Sequence, residues 1–130
     1  MGREAVEREM RELVGRIPAV LDRVPDELLD AEWQLLRRSL FDDTLIPSRY
    51  KALMGVAVAA AVRCSYAARL HSELARVHGA SEAELTEAVH QAALISGWST
   101  RMNGFQFAAE EFAAEVAQTI DHIASRETLE

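Results

Sequence analysis

The stretch AVRCSYAARLH, residues 61–71, holds the only cysteine of a 130-residue chain, Cys64, and a histidine seven residues further on, His71. A cysteine acts as a nucleophile through its thiolate, which a helix N-terminus or a neighbouring cation favours. Cys64 falls near an expected helix start and directly follows Arg63, so the sequence supplies both features. The same residue also fits the small buried apolar role that free cysteines often take. Seven residues are nearly two helical turns, so His71 lies on the same side of the helix but about 10 Å along it. In a regular helix that excludes direct thiolate–imidazole contact, and a water chain or an unwound helix start would have to join the two. Position 67, four residues before His71, is the place that stacks directly against it, and it is occupied by Ala67.

The remaining candidates are weaker. His78 stands near an expected helix end, where it can meet the last carbonyls, while His90 and His122 fall within helices. The chain contains no H-x3-H, C-x2-C or H-E-x2-H spacing, no glycine-rich phosphate loop and no G-x-S-x-G. Neither a metal nor a cofactor is therefore expected. Tyr66, two residues after Cys64, and Trp98, which follows Gly97, are the residues offered as lining a substrate pocket. Trp98 fits interhelix packing better than that role.

The elements that must position these groups read as helices. Apolar residues recur at spacings of three and four, and no segment has the alternation of a strand. Val6, Met10, Leu13 and Val14 define a first helix, about Arg3 to Val14, ended by Gly15. Pro18 suits the first turn of a short helix carrying Val20, Leu21 and Val24. The stretch DELLDAEWQLLRRSLF then opens with acidic residues suited to a helix N-terminus, with Leu28, Leu29, Trp33, Leu36 and Leu40 as its buried face. A further helix begins around Pro47-Ser48 and contains GVAVAAAV, apolar nearly all round and rich in small residues, as in a helix packed centrally among others. The next runs from about Cys64 to Val77 and is closed by Gly79. Ser81 and Glu84 form the spacing of a capping box that starts another helix, expected to end near Gly97. Met102, Phe105, Phe112, Val116, Ile120 and Ile123 supply the stripe of a last helix, and SRETLE reads as a frayed tail. The expectation is an all-α bundle of six to seven helices forming one domain over residues 1–130.

Composition narrows the function classes. Hydrophobic residues make up 49% of the chain, enough for a folded core. The formal net charge is −7, and Arg37-Arg38 is the only basic pair, which disfavours nucleic acid and anionic membranes as partners. The apolar run Ala52 to Val62 is too short to span a bilayer. The charged N-terminus MGREAVEREM lacks the apolar core of a signal peptide. A single cysteine cannot form an internal disulfide. A soluble, cytoplasmic protein is expected.

With these residues in view, the stretch PSRYKALMGVAVAAAVRCSYAARLHSELARVHGASEAELTEAVHQAALISGW resembles the carboxymuconolactone decarboxylase and alkylhydroperoxidase D superfamily. The resemblance covers roughly residues 18–115, with its core at 48–98: a small-residue helix, then Cys64, then His71, then a helix reaching Gly97. It implies an all-α fold assembled as trimers or hexamers. In the peroxidase members it implies a motif Glu-x11-Cys-x2-Cys-x3-His, in which two cysteines form a redox disulfide, Glu and His relay protons, and external thiols supply electrons. On this chain the first cysteine of the motif is Cys64 and the histidine is His71. The second cysteine falls at Ala67 and the glutamate at Ala52, so neither the two-cysteine cycle nor the usual proton relay is available. The turn after the following helix, GWS, also departs from the Gly-Phe-Pro-like turn of the decarboxylase branch.

Three functions are compatible with this pattern. The first is a thiol-dependent, peroxiredoxin-like peroxidase in which Cys64 is oxidised by a hydroperoxide and restored by an external thiol. The second is a non-redox enzyme resembling the lactone decarboxylases, with His71 as acid or base. The third is a non-catalytic oligomer that binds a ligand or serves as a scaffold. The resemblance implies a homo-trimer or homo-hexamer whichever of the three holds, and the first two act on a small-molecule substrate.

Overall fold

The computed structural model describes residues 1–127 and contains six helices among them: α1 (Arg3–Val14), α2 (Asp26–Phe41), α3 (Ser48–Val62), α4 (Ser65–Val77), α5 (Glu82–Phe105) and α6 (Ala109–Glu127). The described residues include no strand. The all-α expectation holds, and six is the lower of the two helix numbers anticipated. By its internal contacts the chain divides into two compact units, Met1–Ala92 and Ala93–Glu130, with α5 running through the division.

The first unit has two apolar clusters. Val6 and Met10 of α1, Leu29 and Trp33 of α2, and Leu21 of the intervening segment form one, with Leu36 packed at its edge. Ala52 and Val56 of α3, Ala75 of α4 and Leu85 of α5 form the other. Leu28, expected in the buried face of α2, is instead exposed, because the stripe through Leu29 and Trp33 is the one turned to α1. The residues after Pro18 form successive turns, Leu21 N–H to Pro18 carbonyl and Val24 N–H to Leu21 carbonyl, rather than the expected short helix. Leu21 is nevertheless buried. The segment therefore contributes its apolar side chain to the core without regular structure.

α3 and α4 form the tightest pair. α3 ends on Arg63, at φ 60° and ψ 44°. Its amide donates to the Ala60 carbonyl and that of Cys64 to the Ala59 carbonyl, the paired closure of a Schellman motif. α4 ends the same way on Gly79, at φ 93°, with Gly79 N–H on the Arg76 carbonyl and Ala80 N–H on the Ala75 carbonyl. The capping box then starts α5: Ser81 N–H donates to Glu84 Oε1 at 2.9 Å, and Glu84 N–H to Ser81 Oγ at 3.0 Å.

In the second unit α5 continues past Gly97 to Phe105, so Met102 and Phe105 belong to α5 rather than to the last helix. The turn that follows is made by Gln106 at φ 54°. Phe107 meets both Phe105 and Phe112 edge to face, at centroid distances of 6.2 and 5.9 Å. α6 buries none of its residues within the described chain. Of the expected frayed tail, residues 125–127 are helical and 128–130 lie outside the described residues. No helix among the described residues is long and apolar enough to cross a membrane.

Candidate functional site

Cys64 is the N-cap of α4. The Schellman closure of α3 turns the chain through Arg63 and leaves Cys64 extended, at φ −103° and ψ 103°, immediately before the first helical residue. Its Sγ accepts a hydrogen bond from the Ala67 N–H at 3.5 Å. That amide is one of the donors that a helix leaves unpaired at its start, so the sulfur sits where the helix dipole favours negative charge. The thiol is free and exposed. It is therefore not the buried apolar residue that its type alone would equally allow.

His71, two turns further along α4, occupies a chamber of its own. Ser39 and Leu40 at the end of α2, Lys51 and Ala52 of α3, and His71 and Leu74 of α4 line a cavity of about 10 Å³, at the lower limit for one water molecule. A Cβ at position 55 would lie 2.4 Å from Nδ1 and 2.6 Å from Cγ of the imidazole. Gly55 is thus the residue that lets the ring lie against the α3 backbone. The imidazole is half-buried, and its Nδ1 is fully enclosed without a hydrogen-bond partner from the protein. Burial pushes its pKa below the ordinary 6.5, because a charged ring loses more solvation than a neutral one. At neutral pH His71 is therefore an uncharged imidazole, suited to accept a proton rather than to deliver one.

The wall around it is firmly held. Lys51 Nζ donates to the carbonyls of Arg38 at 2.9 Å and Asp42 at 2.6 Å, closing the C-terminus of α2 with a cation. His78 Nε2 lies 2.9 Å from the Leu40 carbonyl and ties the end of α4 to the same place. Asp43 Oδ1 accepts from the Ser48 N–H at 2.8 Å, and that bond holds its carboxyl below the usual carboxylate range.

The structure thus keeps Cys64 and His71 apart, as the helical spacing requires. Tyr66 is half-exposed and, with Leu70 one turn later, lines an apolar cleft of about 310 Å³. Trp98 lies on α5 in the other unit, 54% exposed, and lines neither cavity. Among the described residues no three His, Cys, Asp or Glu side chains converge as metal ligands would. Gly55, Ser39 and Lys51 are not singled out from the sequence, and Leu40 only as part of the buried face of α2. Only Gly55 carried a signal, a glycine in mid-helix where alanine would be about 1 kcal/mol better.

Comparison with known proteins agrees with the all-α fold. The model of the carboxymuconolactone decarboxylase family matches residues 27–110, which include α3, α4 and all but the first residue of α2. The alkylhydroperoxidase AhpD core from Rhodospirillum rubrum superposes with a TM-score of 0.70 at 21% identity, over 85% of each chain. A candidate carboxymuconolactone decarboxylase from Burkholderia xenovorans superposes with a TM-score of 0.59 at 22% identity, over 89% of this chain and 94% of the other. Both likenesses concern the fold. No curated protein sequence matches the chain significantly.

Proposed function

Taking as premise that this chain belongs to the carboxymuconolactone decarboxylase family, we propose that it is a single-cysteine, thiol-dependent peroxidase with Cys64 as its redox group. The observation that carries the reading is the exposed thiol at the α4 N-cap, its sulfur directed at the Ala67 amide. The thiolate attacks the terminal oxygen of a hydroperoxide and the O–O bond breaks. The alkoxide leaves and takes up a proton, and Cys64 becomes a sulfenic acid. With alanine at position 67 no internal disulfide follows. An external thiol displaces water from the sulfenic acid to give a mixed disulfide. A second external thiol then releases Cys64 and departs as half of the oxidised pair. His71 serves, in this reading, as a neutral base reached through water rather than by contact.

The test is hydroperoxide consumption in the presence of a dithiol. The wild-type protein turns over and Cys64→Ser loses the activity, whereas His71→Ala slows it. A second reading, a decarboxylase-like enzyme with His71 as the working group, draws on the enclosed chamber around that imidazole. It requires the reverse result, loss with His71→Ala and full activity with Cys64→Ser. The depressed pKa of His71 speaks against it, because decarboxylation needs an acid to protonate the carbanion. If neither variant alters any activity, the chain is a non-catalytic ligand-binding or scaffold member.

The proposed assembly is a homo-trimer or homo-hexamer. Its support is the apolar surface left outside the clusters: Tyr50, Met54, Val58 and Val62 along one face of α3, and Val116, Ile120 and Ile123 along α6, all exposed.

A further inference from the structure

The apolar cleft beside Tyr66 is a second cavity, distinct from the His71 chamber although Leu40 contributes to both walls. It is formed by the turns after α1, the end of α2 and the first half of α4, all within the first unit. Leu36, Leu40, Phe41 and Leu70 supply apolar walls, and only two of the lining side chains are polar: the phenol of Tyr66 and the guanidinium of Arg16. Arg16 Nε donates to the Ile17 carbonyl at 3.3 Å. Among the described residues no carboxylate forms an ion pair with Arg16, whereas Arg3, Arg11, Arg37 and Arg76 have acidic partners. Arg16 shares the lack of one with the remaining arginines but is the one that lines this cleft. In a chain of net charge −7, an unpaired cation beside an apolar cleft favours an anionic head joined to an apolar chain. The cleft, about 310 Å³ and partly open to solvent, has room for a small organic molecule. That size falls at the lower end of small-molecule sites.

We propose that this cleft binds a medium-chain monocarboxylate, its chain packed on Leu36, Leu40, Phe41 and Leu70 and its carboxylate paired with Arg16. Octanoate, with an eight-carbon chain and one carboxylate, is the simplest probe of that class. Apolar contact supplies most of the affinity, and the guanidinium fork supplies the preference for the acid over neutral molecules of equal length. The proposal does not depend on Cys64, so it stands or falls separately from the peroxidase reading.

The experiment titrates the full chain with octanoate and, separately, with octanol, following backbone amide resonances by NMR. Octanoate is expected to saturate and to shift residues around Arg16, Leu40 and Leu70, with octanol bound about tenfold more weakly. Arg16→Gln, a change at an exposed residue, removes the difference between the two ligands while leaving octanol binding as before. Leu70→Trp fills the cleft and weakens both. Cys64→Ser binds octanoate like the wild type. Equal affinity of the wild type for the two ligands, an acid preference that survives Arg16→Gln, or no saturable binding (as when a second copy of the chain fills the cleft) each overturns the proposal.

Discussion

The imidazole of His71 occupies the volume that any side chain at position 55 would need, and two predictions follow from that contact. Gly55→Ala places a methyl group 2.4 Å from Nδ1. Overpacking of this kind costs about 1–3 kcal/mol, set against about 1 kcal/mol gained in helix propensity. Urea unfolding should show Gly55→Ala destabilised in the wild-type background and neutral or stabilised in a His71→Ala background, where the ring is gone. Destabilisation of equal size in both backgrounds would mean that the ring does not pack there. The second prediction concerns pH. Burial lowers the folded-state pKa of His71 below the 6.5 of an unfolded histidine, so below that value the unfolded chain binds a proton that the folded chain resists. Stability should therefore fall as the pH drops through about 6.5, levelling once the folded-state pKa is passed. His71→Ala should flatten that part of the profile, and an NMR titration of His71 should give a midpoint below 6.5 that rises in Gly55→Ala.

The helix junctions are where local chemistry sets the site. Arg63 holds a left-handed conformation without being glycine, at a cost of about 1 kcal/mol, and its turn delivers Cys64 to the α4 N-cap. Arg63→Gly should raise stability by about that amount in thermal unfolding while leaving Cys64 reactivity close to wild type. A large loss of reactivity would show that the Arg63 cation, rather than the turn, activates the thiol. At the other end of α4, Ser81→Ala removes the acceptor of the Glu84 amide and should cost about 1 kcal/mol. The start of α4 near Cys64 and the α4–α5 junction, marked by Gly79 and the Ser81–Glu84 spacing, were legible in the sequence because capping residues act over three or four positions. The left-handed turn at Arg63 was not, because no glycine marks it. The same local rules misplaced the end of α5, since Gly97 is compatible with a continuous helix when the residues around it propagate one. They also read residues 18–24 as a helix, where proline and apolar spacing are satisfied equally by turns that bury Leu21. The pairing of Gly55 with His71 was not legible, because it is a contact between α3 and α4 and leaves no spacing pattern within either helix.

At the scale of the whole molecule, the all-α architecture followed from periodicity, and the family from the order of a small-residue helix, Cys64 and His71. What periodicity left undecided is which apolar faces stay inside the chain. The helix around GVAVAAAV buries Ala52, Val56 and Ala59 but leaves Met54, Val58 and Val62 in the open. α6 buries nothing among the described residues. Apolar stripes of this kind favour self-association, and sedimentation at micromolar concentration should report a trimer or hexamer. Met54→Glu together with Val58→Glu should shift the protein toward the monomer without unfolding it, since both side chains are exposed in the single chain. A wild-type monomer would contradict the proposed assembly.

Cys64, presented at the α4 N-terminus with no second cysteine, is proposed as the redox group itself. The most direct measurement treats the reduced protein with one equivalent of hydroperoxide and identifies the product by intact mass, with a sulfenic-acid trap present and absent. Rapid gain of one oxygen atom at Cys64, capture by the trap, reversal by an external thiol, and no reaction in Cys64→Ser are the expected results. A thiol that reacts with hydroperoxide no faster than free cysteine would contradict the proposal.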